Sequence, residues 1–544
     1  MPGTRDHDPL IIEEFEGWWQ RGDPDSAPSN HFIQADNIQY FQSGIETRYG
    51  LRNYLSDPLP TLQILRVYNY TTQTGQTLLV LTVGGNIYHI KKSTDPIGAP
   101  ILHVEEMEDF GFVAINGRAY ISPFKTRLDA QGDKYQLGIK NVPLYVYNGD
   151  GTPARSAAGH PPDTTNGVMF MGAGAGGVTD VGLHFGAVVF ETNSGYITAP
   201  GNYSQYTYLG NTKIRFTNIP IGPLEPDGGV SRVIRRHLVS TKVIINNNFD
   251  FQGYQYFFIP GGTVPDNTTQ AWEVEYFDSD LISDASHLID NFSVIPSGVA
   301  LNTYHSRLVI VGELGLDSTF GSDATLVGLP AGITDNRSIA RVSFPGEPES
   351  ISKIDGLIVA PLDGHALTNV QEFRDVLYLF KSTRTFSFSD NNDEPVTWQE
   401  EVLDQGIGAP VHGIATVLDT GGVNTDFLVI ADLSGLMLFN GVFALPELTF
   451  KIEDFWRGLT HNEFHKIQVT NDSLNKKIWI TLPEPHRKTI LHADYSDGLN
   501  PSKIKWARWI FDVNVFTIAL VQFDRLLIGT PGPDVTGVEF QELL

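Results

Sequence analysis

Strand-length apolar runs, each broken by a short turn and followed by a second run, recur along this chain and limit what it can fold into. TLLVLTVGGNIYHI (77–90) is the clearest, with Gly84, Gly85 and Asn86 in the turn. The same shape returns as GFVAINGRAYIS (111–122) around Asn116 and Gly117, and as FLVIADLSGLMLFNG (427–441) around Ser434 and Gly435. Weaker copies are SRLVIVGE (306–313), VLYLFKSTRTFSFS (376–389), NKKIWITL (475–482) and DRLLIGT (524–530). Their spacing, mostly about 30–70 residues, is that of blade-sized repeats and predicts an all-β protein, a β-propeller of about six to eight blades. A chain of 544 residues exceeds what one core supports, which a repeat architecture accommodates. Its 53 Gly, 32 Pro, 20 Tyr and 32 Phe favour short strands and turns over helices. Only LDAQGDKYQLGIK and KIEDFWRGLTHNEFHKI offer short helices.

The repeat is interrupted between LYVYNGDGT (144–152) and VIPSGVALNTYHSRLVIVGE (294–313). After a low-complexity start, MGAGAGGVTD (171–180), five or six strands follow in GLHFGAVVFETNSGYITAPG, KIRFTNIP, SRVIRRHLVS, YQYFFIP and AWEVEYFDSDL. His184, Gly186, Val188 and Phe190 alternate with Leu183, Phe185, Ala187 and Val189, as in a β-sandwich strand. The expected organisation is an N-terminal segment with the first blades at 1–152, an inserted sandwich at 165–292, and the remaining blades at 293–544. An insert with adjacent ends leaves the host fold intact.

The formal net charge of −26 opposes tight binding of a polyanion, which needs local Lys and Arg at each phosphate. With no cysteine, disulfides, thiolate zinc sites and thiol catalysis are excluded. The N-terminus lacks the basic and apolar regions of a signal peptide, and no run approaches the length of a membrane span, so a soluble, cytoplasmically made protein is expected.

No catalytic, cofactor-binding or metal-ligating residues are expected. His461-Asn-Glu463-Phe-His465 spaces two histidines by four, but Asn462 stands where a zinc protease places its glutamate. SDNNDEPVTW (389–398) lacks the spacing of a sialidase Asp-box, so Asp390, Asn391, Asn392 and Asp393 read as an Asx-rich turn rather than a calcium site. YNGDGTP (147–153) lacks the further acids of a calcium loop. Trp18, Trp19, Trp456, Trp506 and Trp509 either stack on sugars or, as is commoner, fill a core or an interface. Phosphate-loop, nucleophile-elbow and dinucleotide fingerprints are absent from the sequence.

Phe15-x-Gly17-x-Trp19-x-Arg21-Gly22, then Asn37, then Gly44-x-x-Thr47-Arg48-x-Gly50-Leu51, and the strand pair ending GGNIYHI together resemble virion β-propeller proteins of tailed phages. The tail nozzle, or tail tubular protein B, of short-tailed phages is the most similar of these. AVVFETNSGYITAPG, the Arg232–Arg236 strand, YQYFF, Asn267-Thr268-Thr269 and Asp278-Ser279-Asp280-Leu281 resemble the fibronectin type III-like module of such proteins. SGVALNTYHSRLVIVG, VSFPGEPES and DQGIGAPVHGIA resemble later blades, so the likeness covers most of the chain at the level of pattern. It implies a non-enzymatic structural protein of the virion tail. That protein would assemble with itself in a ring, sixfold in the nozzles, beside a tail adaptor or connector and fibres or spikes. DNA would pass through the ring without specific binding, retained before infection and released afterwards. No cofactor or membrane anchor is implied. The alternatives are a receptor- or glycan-binding tail protein and a propeller glycoside hydrolase, the latter needing two carboxylates about 5–9.5 Å apart. Within this frame Gly44 and Gly50 supply turns, Arg48 caps carbonyls or pairs with acids where the N-terminal segment meets a blade, and GVEFQELL (537–544) closes the ring beside an N-terminal strand.

Overall fold

The computed structural model describes residues 16–543 apart from short stretches, the longest being 158–167, 223–229, 245–254, 315–336 and 532–539. The fold is an all-β propeller. Among the described residues, seven antiparallel sheets of four or five strands follow one another, and the first strand of each lies innermost. Those inner strands are Ile64–Thr72, Asp109–Ile115, Ala300–Tyr304, Leu367–Phe373, Ile414–Asp419, Gln468–Asp472 and Thr517–Val521.

The first blade shows why the sequence folds this way. Gly75–Thr82 and Asn86–Ile90 pair through a turn in which Gly84 and Gly85 take φ of +92° and +71°. A Cβ on Gly85 would lie 1.8 Å from the Val104 carbonyl oxygen, so only glycine fits. From Thr77 to Thr82 every residue of the second strand is buried or nearly so, because neighbouring blades cover both faces. Segment 128–140 differs from expectation: it contains a strand, Lys134–Gly138, paired with Phe124–Leu128, where a short helix was anticipated. Cross-strand pairing of Tyr135, Gln136 and Leu137 outweighs the local helical preference. KIEDFWRGLTHNEFHKI does form short helices, at Glu453–Arg457 and His461–Lys466.

The ring closes by joining the two ends of the chain. Leu51–Asn53 pairs antiparallel with Gln541–Leu543 as the outer strand of the last blade. Upstream of it, the N-terminal segment runs along the preceding blade. Trp18 N donates to Trp506 O, Asn37 N to Arg508 O and Arg508 N to Ala35 O. Gly17 takes φ +95° against this edge, where a Cβ would sit 2.7 Å from the Trp506 nitrogen. Arg48 caps the Ile510 carbonyl at 3.0 Å, binds the Asn37 side chain at 2.8 Å and lies over the Phe511 ring.

Between the second and third blades the chain leaves the ring. Phe170–Ala173, Ile214–Thr217 and Ala271–Val274 form one three-stranded sheet, and Gly186–Thr192, Val233–Ser240 and Phe257–Val264 form another. Met171, Val188, Phe190, Phe216 and Leu238 bury a common core between them. Phe185, Ala187 and Val189, on the opposite face of the second sheet, are also buried, beneath Tyr203, Tyr206 and Leu288. The insertion is tied to the ring through Glu349, whose side chain is fully buried. Arg155 grips Glu349 with both guanidinium ends at 2.9 and 3.0 Å, and Arg232 reaches it from the insertion at 3.3 Å. Arg232 also donates to the Ser156 carbonyl at 2.9 Å.

Candidate functional site

The polar residues of the inner strands converge on the propeller axis and cross it. Arg66 pairs with both oxygens of Asp109, its Nε lying 3.0 Å from Oδ1, and donates through Nη1 to Gln468 Oε1 at 2.8 Å. Gln468 Oε1 also accepts from Thr517 Oγ1 at 2.9 Å, and its Nε2 donates to the Ile518 carbonyl at 2.7 Å. His412 Nε2 lies 3.0 Å from Asp109 Oδ2, and its Nδ1 lies 2.9 Å from the Tyr68 hydroxyl. Burial lowers the pKa of His412, and the nearby Arg66 cation lowers it further, so the ring is neutral near pH 7. A neutral ring with its proton on Nε2 donates to Asp109 and accepts from Tyr68, which satisfies both neighbours. Burial would raise the Asp109 carboxyl, but Arg66 and His412 hold it well below the usual carboxylate range. The cluster thus forms a paired septum across the ring.

One cavity lies on each side. The first, about 360 Å³, is lined by Tyr68, Asn302, Asn369, Gln371, His412 and Gln468 among apolar neighbours. Its polar side chains are engaged: Asn369 Nδ2 donates to the Pro410 and Val411 carbonyls, and Asn302 Nδ2 to Val370 O. The second, about 290 Å³, is lined by Gln63, Arg66, Glu108, Asp109, Thr126, Gln136, His465, Lys466 and Arg487.

The structure brings only part of the sequence-flagged set to this axis. Of the two histidines of HNEFH, His465 lines the second cavity, while Glu463 is bound by Lys134 and Lys466. Burial would raise Glu463, yet these two lysines hold its pKa down at about 2, so it is a fixed anion rather than a proton carrier. SDNNDEPVTW is an Asx-rich turn in which Asp390 Oδ1 accepts from Asn392 N and Asn391 Oδ1 from Asp393 N. In YNGDGTP, Asp150 Oδ1 accepts from both Thr152 N and Oγ1. Trp18, Trp456, Trp506 and Trp509 are each at most 3% exposed and pack in the core. His305 and Asp375, in the turns of two neighbouring blades, and Glu372, near the end of the strand Leu367–Phe373, bring three possible ligand atoms within 4.8 Å of one another, a cluster that sequence spacing did not reveal.

Sequence reasoning also missed Arg66, Asp109, His412, Gln468 and Arg487. No spacing links them, since Arg66 and Gln468 stand 402 positions apart. A signal was present nonetheless: a polar residue at or near the start of the inner strand of most blades, as in QILRVYNY, EDFGFVAI, HKIQVT and VFTIALV.

This architecture defines a β-propeller with an inserted pair of sheets. No family model and no curated protein matches the chain. Among solved structures, it is similar to YCF48 with a bound peptide (9% identity, TM-score 0.26, covering 93% of this chain and 97% of that one). BamB from Moraxella catarrhalis is similar at 10% identity and TM-score 0.31, covering 91% of this chain and 98% of that one. The Dos1 propeller is similar at 9% identity and TM-score 0.28, covering 91% and 95%. Likenesses of this degree carry no functional information.

Proposed function

We propose that this chain is a structural protein of a phage tail, a nozzle or tail-tube component that assembles in a ring and conducts DNA between its copies. The observation that supports this reading is the joint at Glu349, which fastens the insertion to two blades through three arginines. The septum of Arg66, Asp109, His412 and Gln468 crosses the propeller axis. A DNA path would therefore run between copies rather than through one propeller. A net charge of −26 suits such a passage, since repulsion prevents lasting contacts with the polyanion. In this reading the insertion is the fibronectin-like module, and adaptor, fibres or spikes are its neighbours. The burial of four of the five singled-out tryptophans removes much of the aromatic platform that a glycan-binding role would use.

Electron cryo-microscopy of the intact particle tests the proposal. Density for several copies around the tail axis, below the adaptor, is the expected result. Peripheral density at a fibre or spike, or a lumen lined by Lys and Arg, would overturn it.

A further inference from the structure

Three donor-bearing groups line the second axial cavity, and two of them, Gln136 and His465, also line a neighbouring cavity of about 270 Å³. Arg487 is 6% exposed, and among the described residues its guanidinium makes no hydrogen bond or ion pair. Its guanidinium carbon lies 5.3 Å from the centre of the Phe516 ring. Gln136, 3% exposed, leaves its amide Nε2 buried and unbonded, and the buried Nε2 of His465 is likewise unbonded. An unmade hydrogen bond from one buried group costs about 1–3 kcal/mol, so the Gln136 amide and the His465 ring call for an acceptor, and the Arg487 guanidinium lines the same space.

The charge balance says what kind. Arg66 is neutralised by Asp109, and Lys466 shares Glu463 with Lys134. Glu108 also lines the cavity, but it lies at the exposed rim, where its Oε2 accepts from Thr126 N at 3.0 Å. Among the described residues Arg487 makes no direct ion pair, the Glu484, Glu463 and Asp109 carboxylates acting on it only at longer range, and a guanidinium keeps its proton even where burial disfavours the charge. Burial lowers the His465 pKa to about 4, with Lys466 adding to the effect, so the ring is neutral and able to donate through Nε2–H. Arginine, lysine, amide and imidazole donors around one space match a group that accepts on every side, and the planar arginine fork matches two oxygens of a tetrahedral oxyanion.

We propose that the cavity bounded by Arg487, Gln136, His465 and Lys466 is a binding site for a small oxyanion of the phosphate type. Its volume of about 290 Å³ leaves space beside the ion for the substituent of a phosphate monoester. This inference does not depend on the tail reading.

The test is calorimetric titration and thermal unfolding of the full chain, with phosphate replacing chloride at constant ionic strength. Wild type is expected to bind inorganic phosphate saturably and to unfold at a higher temperature in its presence. Arg487→Gln is expected to weaken the Kd about tenfold or more, the usual loss for a charge-assisted bond. Gln136→Leu keeps the side-chain volume, removes one donor and should weaken binding several-fold, which decides the matter should Arg487→Gln fail to fold. Glycerol phosphate binding more tightly than inorganic phosphate would point to an ester, and weaker binding to the free ion. Absence of saturable binding in wild type, unchanged affinity in both variants, or acetate binding as tightly as phosphate would overturn the proposal.

Discussion

The two cavities on the axis lie on either side of the septum, the first lined by the inner strands and the second also by outer strands, a short helix and a loop, and their polar groups are arranged in opposite ways. On the His412 side, Tyr68, Asn302, Asn369 and Gln468 spend their donors and acceptors on one another and on backbone carbonyls. On the Arg487 side, Arg487, Gln136 and His465 retain unused donors. Burial of a polar group is costly unless it is bonded. A fully paired cluster accordingly reads as framework, and an unpaired one as a place for something else.

Asp109→Asn provides the strongest way to break this contrast. It leaves Arg66 buried without its counter-charge, and a loss of about 3–5 kcal/mol in denaturant unfolding is expected. A change below about 1 kcal/mol would show that the buried Arg66–Asp109 pair contributes little to stability. Glu349→Gln carries the same logic to the joint of the insertion, where Arg155 and Arg232 would lose their shared partner. The expected cost is about 3 kcal/mol, and protease cleavage within the insertion should rise relative to cleavage in the blades.

Acid distinguishes the unpaired side next. The folded-state pKa of His465, about 4, lies below the ordinary histidine value of 6.5. Between these values the unfolded chain binds a proton that the folded chain refuses. The stability contributed by neutral His465 is complete above pH 6.5 and is lost as pH falls toward 4, by up to about 1.4 kcal/mol per pH unit. His465→Gln should flatten the unfolding free energy across that window, and an unchanged slope would place the titration elsewhere. The smallest effect sharpens the comparison most directly. In phosphate-free buffer Arg487→Gln should change stability by no more than about 1 kcal/mol, because it breaks no ion pair and loses only the contact with Phe516. A cost as large as that of Asp109→Asn would show that Arg487 belongs to the framework after all.

Much of the propeller was legible in the sequence. GGN at 84–86 marks a turn because glycine tolerates positive φ, the turn at 434–435 is held by Ser434 N donating to the Asp432 carboxylate, and the flanking runs are long enough for one strand each. Of the two roles expected of Arg48, pairing with acids or capping carbonyls, its bond to the Ile510 carbonyl is the second, while Gly44, expected in a turn, opens the strand Gly44–Thr47 and Gly50 lies outside the described residues. The turn residues of 389–398 carried their own geometry, because Asx side chains bond backbone two residues on. Lys134–Gly138 was misread because its partner strand, rather than its own propensity, decides its conformation.

Local pattern by itself determined strand, turn and the β class, because side-chain alternation and glycine backbone freedom act over a few residues. The tertiary structure alone decided which polar residues meet at the axis. Closing the ring brings Arg66 to Asp109 and Gln468, and sets Arg487 beside Gln136 across a cavity. Pairing of this kind depends on distances that chain separation does not encode, and so does the gathering of unbonded donors at the second cavity.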